Sequence, residues 1–340
     1  MSAVSPYAPP RARPPMQSGH GRRSTPGEWR WRDRFALVFA WGAGLGLCVV
    51  CAAIVIYMGF RGIQYLKPQL LFERPAISEG GGVASQLTAG GFLDPIEGTL
   101  LLTLIGILLA LPLSVAAALW IVEYGRPSWL ARMVESSIEV VAGTPDIVLA
   151  VFGLAFFQLS FMAPFSFKAE QGGVFGRSFI AAGAMMSLIA LPPLFTATRD
   201  GLHAVPTHLR EAAYALGKTR VATIRRVLLP SVRSNIAAGV TLGVSRIIGD
   251  TAIVIVLLGG TLRIEPLEGN PVTGLLRGNG GTLTSYVFEN SPAGESGAPQ
   301  KAYVAAFVLM LAVLALNLVV DRIGRRGSDP IGLTSAYGVV

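Results

Sequence analysis

The stretch LREAAYALGKTRVATIRRVLLP, residues 209–230, decides how this 340-residue chain is interpreted, because it is a charged segment between two apolar runs. From Leu209 onward its apolar residues recur at i, i+3, i+4 and i+7, which is the signature of a helix. Gly217 then suits the end of that helix, where a left-handed residue is least costly as glycine. A second amphipathic helix follows, and Pro230 interrupts its pattern. The stretch is therefore predicted to be a helix–turn–helix.

The tripeptide Gly217-Lys218-Thr219 resembles the end of a Walker A loop, which binds nucleotide phosphates. A Walker A loop also needs a glycine five residues before its second glycine, and it follows a buried strand. Ala212 stands at that position, and the preceding residues have helical spacing. The sequence therefore predicts no ATP site in this segment, and the question becomes whether the segment contacts a protein that binds ATP.

Uncharged runs account for much of the remaining chain, which is 52% hydrophobic and 14% charged, with a mean hydropathy of +0.55. A membrane-crossing helix needs about 20 apolar residues. In lipid such runs must be helical, because the backbone has no water with which to form hydrogen bonds. We predict an all-α integral membrane protein with six transmembrane helices, at 35–60, 98–122, 147–167, 178–198, 234–262 and 302–320.

The positive charges predict the orientation of these helices. Alternate segments outside the spans carry 19 Lys and Arg residues on one side and 8 on the other. Because cytoplasmic loops carry the Lys/Arg excess, both termini are predicted to be cytoplasmic in a multi-pass protein of the cytoplasmic (inner) membrane. The net charge of +8 then reflects topology rather than nucleic-acid binding.

The spans and charges give a predicted domain organisation. The tail 1–34 is basic and rich in Pro, Gly and Ser, so it is predicted to be disordered. A six-helix domain follows over 35–320, with a cytoplasmic loop at 199–233 and a long extracytoplasmic loop at 259–301. Residues 321–340 form a cytoplasmic C-terminal tail.

Residues 211–230 carry a resemblance to a known family. Glu211-Ala212-Ala213, three residues, Gly217, nine residues and Val227-x-Leu229-Pro230 closely resembles the EAA motif of ABC importer permeases, with valine in place of isoleucine as the one departure. The resemblance implies a type I ABC importer permease fold and a loop of coupling helices that docks into a groove of an ATPase subunit. An amphipathic loop lying on the bilayer is the alternative. The implied coupling residues are Glu211, Ala212, Ala213, Gly217, Leu229 and Pro230.

The fifth predicted span contains two ionisable residues, Arg246 and Asp250, within GVTLGVSRIIGDTAIVIVLLGG (239–260). Ionisable groups at membrane depth are costly and are candidates for function. Two interpretations stay open. In the first, Arg246 and Asp250 form an i, i+4 ion pair that only neutralises itself and has a structural role. In the second, Asp250 holds the side chain of Arg246, and the planar guanidinium of Arg246 binds an oxyanion. The same helix has Gly239 and Gly243 four apart, which permits close helix packing.

Prolines within the predicted spans are a feature of transport paths, where broken helices line the substrate site. Pro112, Pro145 and the Pro192-Pro193 pair are predicted to break their helices.

Three stretches narrow the resemblance to phosphate transport permeases of the PstA and PstC types. SRIIGDTAIVI (245–255) is similar to their R-x-I/L-G-E-T segment, with Asp250 for the usual Glu, and the arginine and acid are there assigned to the phosphate path. Residues 99–126 and 136–157 are similar to two further segments, with Asp146 where serine is common. The EYGR ending at residue 126 favours the PstA type.

The resemblance implies a permease subunit that translocates inorganic phosphate and has no catalytic residues and no metal of its own. ATP and Mg²⁺ would bind to the partner ATPase. The implied partners are two copies of an ABC ATPase, a second, PstC-like permease, and a periplasmic or lipid-tethered phosphate-binding protein, which loops 61–97 and 259–301 are expected to meet. The alternatives are an ABC permease for molybdate, sulfate or phosphonate, and an ion-coupled secondary transporter.

Overall fold

The computed structural model describes residues 31–75, 90–125, 127–166, 175–259, 263–264, 266, 271–292 and 299–325. The predicted disordered tail lies outside these residues, except that residues 31–34 are helical and begin the first helix. The C-terminal tail lies outside them from residue 326 onward. The chain divides into two units, residues 1–57 and 58–340.

The described residues form helices and no β-strand. Short 3₁₀ segments occur at Pro68–Leu71 and Ser160–Phe165, and π-helical segments at Trp120–Tyr124 and Ile224–Leu228. The α-helices are α1 (Trp31–Tyr65), α2 (Leu93–Leu119), α3 (Ser128–Gly143), α4 (Asp146–Phe157), α5 (Phe179–Ala204), α6 (Thr207–Ala215), α7 (Arg220–Thr223), α8 (Leu229–Ser231), α9 (Arg233–Gly249), α10 (Ala252–Leu258), α11 (Pro271–Arg277), α12 (Leu283–Asn290) and α13 (Pro299–Arg325).

Among the described residues, four helical stretches are long and apolar enough to cross a membrane, which confirms the all-α membrane class. Two bent pairs bring the number to six if each pair counts as one crossing. The first pair, α3 with α4, bends by 107°, and the second, made of 220–231 and α9, bends by 66°. The four continuous spans are Phe35–Tyr65, Leu93–Tyr124, Phe179–Ala204 and Pro299–Gly324.

Two of the predicted spans differ in detail from the structure. The predicted third span, 147–167, contains helix α4 of 12 residues, which at 1.5 Å per residue is about 18 Å long and does not cross a hydrocarbon core of about 30 Å alone. The predicted fifth span is interrupted at Asp250 and Thr251, between α9 and α10. An uncharged run indicates that a segment lies in an apolar environment, but it does not indicate where the backbone turns.

The prediction that every span proline breaks its helix is wrong at Pro112 and at Pro192-Pro193. Both sites lie within continuous helices, α2 and α5. Membrane helices tolerate proline where neighbouring groups compensate the backbone. Pro145 does separate two helices, because Thr144 and Pro145 are both extended, with ψ of 130° and 136°.

Helices α2, α5 and α9 pack closely because small residues line their contacts. A Cβ on Gly239 would lie 3.0 Å from the Cβ of Ala197 and 3.1 Å from the Cα of Leu194 in α5. A Cβ on Gly243 would lie 3.2 Å from the Cδ1 of Leu194 and 3.4 Å from the Cβ of Ala190. The sequence prediction that the two glycines permit close packing is confirmed, and this packing fixes which face of α9 points away from α5.

The loop between α10 and α13 contains a buried helix, α12. Its first turn has a capping box between Thr282 and Ser285, and the amide of Leu283 donates to the Thr99 hydroxyl in α2 at 2.9 Å. Tyr286 packs edge-to-face on Phe92, with ring centroids 5.1 Å apart, and burial raises the pKa of its hydroxyl. Part of the predicted extracytoplasmic loop therefore folds into the helical domain.

Candidate functional site

Two interruptions of the helices, one before α4 and one before α10, lie next to each other. Helix α4 packs against α10, so the turn at Thr144-Pro145 and the break at Asp250-Thr251 face a common region. Interrupted helices at membrane depth are tolerated where they are buried in protein or line a water-filled cavity. The region between these two breaks is the candidate site.

Arg246, in the last turn of α9, meets the carboxylate of Asp146 at the start of α4. The distance from its Nη2 to Asp146 Oδ1 is 3.6 Å, and the two side chains are 43% and 36% exposed. The self-neutralising pair of Arg246 with Asp250 that the spacing suggested is not the pair that forms. The reason is the backbone, since α9 ends at Gly249 and Asp250 is extended, with ψ of 136°.

Asp250 instead holds the beginning of α10. Its carboxylate accepts a hydrogen bond of 2.8 Å from the amide of Ile253. It thereby satisfies a free amide in the first turn of α10 from the position before the N-cap, Thr251. Its carbonyl accepts a bond of 3.1 Å from the Thr284 hydroxyl of α12. The Asp250 residue is only 8% exposed, so its position joins three elements, α9, α10 and α12, at the break.

The depth of Arg246 follows from helix geometry. Arg246 is 13 residues beyond Arg233, the first residue of α9, which places it about 20 Å along the helix at 1.5 Å per residue. With Arg233 at the cytoplasmic membrane surface, where the predicted orientation places it, that distance is well inside a hydrocarbon core of about 30 Å. A half-exposed charged pair at this depth cannot face lipid at small cost. The exposed face around Arg246 and Asp146 is therefore suited to a water-filled path or to another polypeptide.

A polar pair between α9 and α13 supports the orientation of Arg246. The side-chain nitrogen of Asn317 donates to the hydroxyl of Ser245 at 2.9 Å, and that hydroxyl also lies 2.9 Å from the carbonyl of Thr241. With glycines against α5 on one side and this pair on another, α9 has little freedom to rotate. Arg246 is consequently presented at the break in a fixed direction.

The EAA segment, 211–230, forms a second functional surface with the predicted helix–turn–helix geometry. Helix α6 ends before Gly217, which has φ of +74°, and the amide of Lys218 donates to the carbonyl of Ala213 at 3.1 Å. The Thr219 hydroxyl then caps α7 by accepting from the amide of Ala222 at 3.3 Å. The glycine is required here because other residues rarely adopt a positive φ.

The predicted coupling residues divide into exposed and packed sets. Glu211, Ala212 and Gly217 are exposed, as is Leu216, whose side chain is apolar and 79% exposed. Ala213 is buried, and Leu229 and Pro230 are half-buried. The exposed set provides a carboxylate, small residues and a large apolar side chain on one short helix end. Such a surface fits docking into a groove of another protein.

The sequence analysis missed the residues that attach this surface to the membrane helices. The guanidinium of Arg210 in α6 meets the Glu123 carboxylate at the end of α2 at 3.0 Å, and the side chains are 18% and 9% exposed. Its other nitrogens donate to the carbonyls of Val205 and Leu202, at 2.9 and 2.8 Å. Arg210 thus binds the last carbonyls of α5 and an acid 87 residues earlier.

A second arginine reinforces this connection. Arg220 at the start of α7 lies over the ring of Tyr124, with 5.8 Å from its Cζ to the ring centroid. It also donates to the carbonyl of Glu123 at 3.5 Å. Glu123 and Tyr124 therefore hold both helices of the coupling segment. The sequence gives no signal of these contacts, because they join residues that are far apart along the chain.

In the described part of the chain, no group of three His, Cys, Asp or Glu residues is arranged to hold a metal ion. That this chain binds no metal of its own stays a prediction.

Most of the chain is similar to known proteins. A family model described as binding-protein-dependent transport system inner membrane component matches residues 103–326. The phosphate transport system permease protein PstC of Xylella fastidiosa (strain 9a5c) is 30% identical over 283 residues, which cover 77% of this chain and 85% of the relative. The phosphate transport system permease protein PstA 1 of Mycobacterium tuberculosis (strain ATCC 25618 / H37Rv) is 31% identical over 242 residues, covering 71% of this chain and 72% of the relative.

A solved structure shares the fold. A chain in the crystal structure of a bacterial alginate ABC transporter, in complex with an alginate pentasaccharide-bound periplasmic protein, superposes with a TM-score of 0.59. The match covers 88% of this chain and 96% of that chain at 15% identity. At this identity the likeness concerns the fold alone.

Proposed function

The chain belongs to the family of inner membrane components of binding-protein-dependent transport systems, and from this membership we propose that it carries inorganic phosphate into the cell. It is a multi-pass, non-catalytic permease subunit of an ABC transporter, and this membership sets aside an ion-coupled secondary transporter. What is proposed is the substrate, the identity of the partner proteins and the roles of individual residues. It draws on relatives named as phosphate permeases and on the half-exposed Arg246 at the helix breaks.

Arg246 is the observation that carries the substrate assignment. A guanidinium presents its N–H groups in a planar fork that matches the oxygens of an oxyanion. Here the fork lies at membrane depth with close to half of the side chain exposed, so an anion in a water-filled path has access to it. Asp250 supports this geometry through the backbone, because it fixes the end of α9 and the start of α10.

The exposed end of α6 is the proposed contact with an ATPase. Glu211, Ala212 and Gly217 form its docking surface, and Ala213, Leu229 and Pro230 hold its shape from within. ATP and Mg²⁺ bind to two copies of the partner ATPase and not to this chain. Since Arg210 and Arg220 connect α6 and α7 to the ends of α2 and α5, a displacement of the docking surface moves the membrane helices.

The proposed orientation places both termini and the coupling segment in the cytoplasm, following the distribution of basic residues. A second, PstC-like permease covers the exposed charged face of α4 and α9 and completes the path. A phosphate-binding protein, periplasmic or lipid-tethered, docks on the opposite side at loops 61–97 and 259–301. A cavity of about 410 Å³ lined by Lys67, Glu73 and Gln300 opens on that side.

Transport then follows from the alternation of two arrangements. ATP draws the two ATPase subunits together, the coupling segments follow, and the helices around the path rock from one opening to the other. Arg246 offers a transient partner for the anion as it passes. The contact has to be weak, because a substrate that binds tightly in a path does not leave it.

The assignment to the PstA type rather than the PstC type stays a prediction. Relatives of both names match with about equal identity, 31% and 30%, so this comparison does not separate the types. Co-expression of the chain with a known permease of each type, followed by purification of the assembled complex, distinguishes them.

The test of the function is uptake of radiolabelled orthophosphate by cells that lack their own high-affinity system. The cells carry the ATPase, the second permease and the binding protein, with and without this chain. We expect uptake that requires the chain and resists excess sulfate and molybdate. Uptake that does not depend on the chain, while the ATPase still co-purifies with it, would move the substrate to another solute and leave the ABC permease assignment in place.

A further inference from the structure

Asp146 is an acid that meets a cation from another helix. It is the first residue of α4, where its charge also suits the positive end of the helix dipole. The Asp146 side chain is 36% exposed, and Arg246 is the cation that its carboxylate meets in the described part of the chain. The helix dipole contributes only a small stabilisation to an acid in the first turn. A charge within the membrane costs more than that, so the contact with Arg246 is the further interaction that favours an acid here.

The contact between Asp146 and Arg246 is loose. A charge-assisted hydrogen bond between arginine and a carboxylate is about 2.7–2.9 Å long, whereas the nearest nitrogen–oxygen distance here is 3.6 Å. Both side chains are more than a third exposed, so water competes for each of them. The guanidinium has five N–H donors, and a dianionic ligand with tetrahedral oxygens can engage more of them than this one carboxylate does.

The neighbouring acid, Asp250, is held elsewhere. Its carboxylate accepts from the amide of Ile253 at 2.8 Å, and the residue is almost fully buried. It therefore stays at the break whether or not Arg246 has a ligand. Of the two acids near Arg246, Asp146 is the one that can be displaced.

We propose that Asp146 is a competitor for Arg246, and that phosphate has to displace its carboxylate to bind and is displaced by it on release. The proposal rests on the function given above and adds a specificity-determining residue to it. While the path is empty, Asp146 neutralises Arg246 at membrane depth. When an oxyanion arrives, the exchange of one anionic partner for another keeps the charge balanced, and the returning carboxylate assists release.

The competition predicts a change in apparent affinity. The complete transporter is reconstituted in proteoliposomes with Asp146→Asn or Asp146→Ser, and phosphate uptake is measured over a range of concentrations. Removal of the competing charge is expected to lower the KM for phosphate about two- to fivefold, which is the contribution of an ion pair at this exposure. The maximal rate is expected to stay equal or to fall, because release loses its assistance. Asp146→Glu is expected to keep a KM near that of the wild type.

The matched control is Glu139→Gln, which removes one negative charge from α3, the helix that precedes α4 in the same bent pair. Glu139 is exposed, and the structure assigns it no part in the pair. Its KM should match that of the wild type. A KM that is unchanged or raised in Asp146→Asn, with normal amounts of assembled complex, would overturn the proposal, as would an equal fall in the control.

Sulfate and molybdate are tested in parallel, so that failure of the proposal and failure of the function remain distinct. If the wild-type complex transports one of them instead of phosphate, the phosphate assignment fails. The proposal about Asp146 then depends on whether Asp146→Asn lowers the KM for that oxyanion. If the complex transports none of the three oxyanions, both are refuted.

Discussion

Replacement of Glu123 by glutamine tests how the coupling segment is attached to the membrane helices. Glu123→Gln preserves the size of the side chain and one oxygen acceptor, but it removes the charge that faces Arg210 at 3.0 Å. Arg210 keeps its bonds to the carbonyls of Leu202 and Val205. The variant should therefore weaken the attachment of α6 to the end of α2 while leaving its attachment to the end of α5.

The magnitude follows from the burial of the pair. Removing one partner of a fully buried ion pair costs about 3–5 kcal/mol, but the Arg210 side chain is 18% exposed and Glu123 9%, and glutamine still accepts a hydrogen bond. A hydrogen bond to a charged group contributes about 1.5–3 kcal/mol and a neutral one about 0.5–1.5 kcal/mol. We therefore expect a loss of about 1–2 kcal/mol in the free energy of unfolding.

The control is a second acid–arginine pair of lower burial. Glu135 meets Arg199 at 3.3 Å, with side chains 33% and 30% exposed, and Arg199 also lies 3.6 Å from Asp200. Glu135→Gln should cost between about 0 and 1 kcal/mol, as exposed pairs do. The two variants change the same atoms and the same charge, so the difference between them reports the burial of the Glu123 pair.

Two measurements on the reconstituted transporter test the prediction. Thermal unfolding should shift to lower temperature by more in Glu123→Gln than in Glu135→Gln. The number of phosphate ions transported per ATP hydrolysed should fall in Glu123→Gln, because the motion of the ATPase is transmitted less fully to α2. The same ratio should stay at the wild-type value in Glu135→Gln. Equal shifts in the two variants, or an unchanged transport ratio in Glu123→Gln at normal assembly, would refute the role of this pair in transmission.

Three further variants test other parts of the structure. Glu211→Lys reverses the charge of the exposed docking surface, so phosphate uptake should be lost while ATP hydrolysis continues, and undiminished uptake would contradict the coupling assignment. Arg246→Gln removes the guanidinium fork and should lower uptake about tenfold or more, as expected for the loss of a charged hydrogen bond, with complex assembly on native gels as the control. Gly239→Leu places side-chain atoms where a Cβ alone would lie 3.0 Å from Ala197 and 3.1 Å from Leu194. This variant should destabilise the protein by about 1–3 kcal/mol through overpacking. Gly42→Leu should not, because a Cβ on Gly42 would have no neighbour within 4 Å.

Local features of the fold could be predicted from the sequence because they depend on neighbours along the chain. The uncharged runs predict apolar helices, the i, i+3, i+4 pattern predicts α6, and the sequence predicts for Gly217 the left-handed conformation that it adopts. The spacing of Gly239 and Gly243 predicted close packing, which the contacts with α5 confirm. Each of these signals operates within a few residues of the chain, where sequence spacing determines geometry.

The candidate site could be predicted only in part, because its pairs join distant segments. Arg246 and Asp250 were identified from their rarity at membrane depth, but the spacing of four assumed a continuous helix, and the break at Asp250 redirects its carboxylate to α10. Asp146 was visible as an acid at an unusual position, yet nothing in its neighbourhood names Arg246 as its partner. The break at Thr144-Pro145 is predicted from the proline, but the position of a break does not show which distant side chain lies beside it.

The ion pair at the coupling segment and the ion pair at the candidate site differ in a way that matches their proposed tasks. The pair of Arg210 and Glu123 is short, largely buried and supported by two carbonyl bonds, so it transmits displacement without yielding. The pair of Arg246 and Asp146 is longer and half-exposed, so a competing anion can separate it. If the geometries were exchanged, a short, buried pair at Arg246 would keep the anion from binding. A long, exposed pair at Arg210 would let the ATPase move without moving the membrane helices. Transport therefore requires the weak pair at the path and the strong pair at the coupling segment.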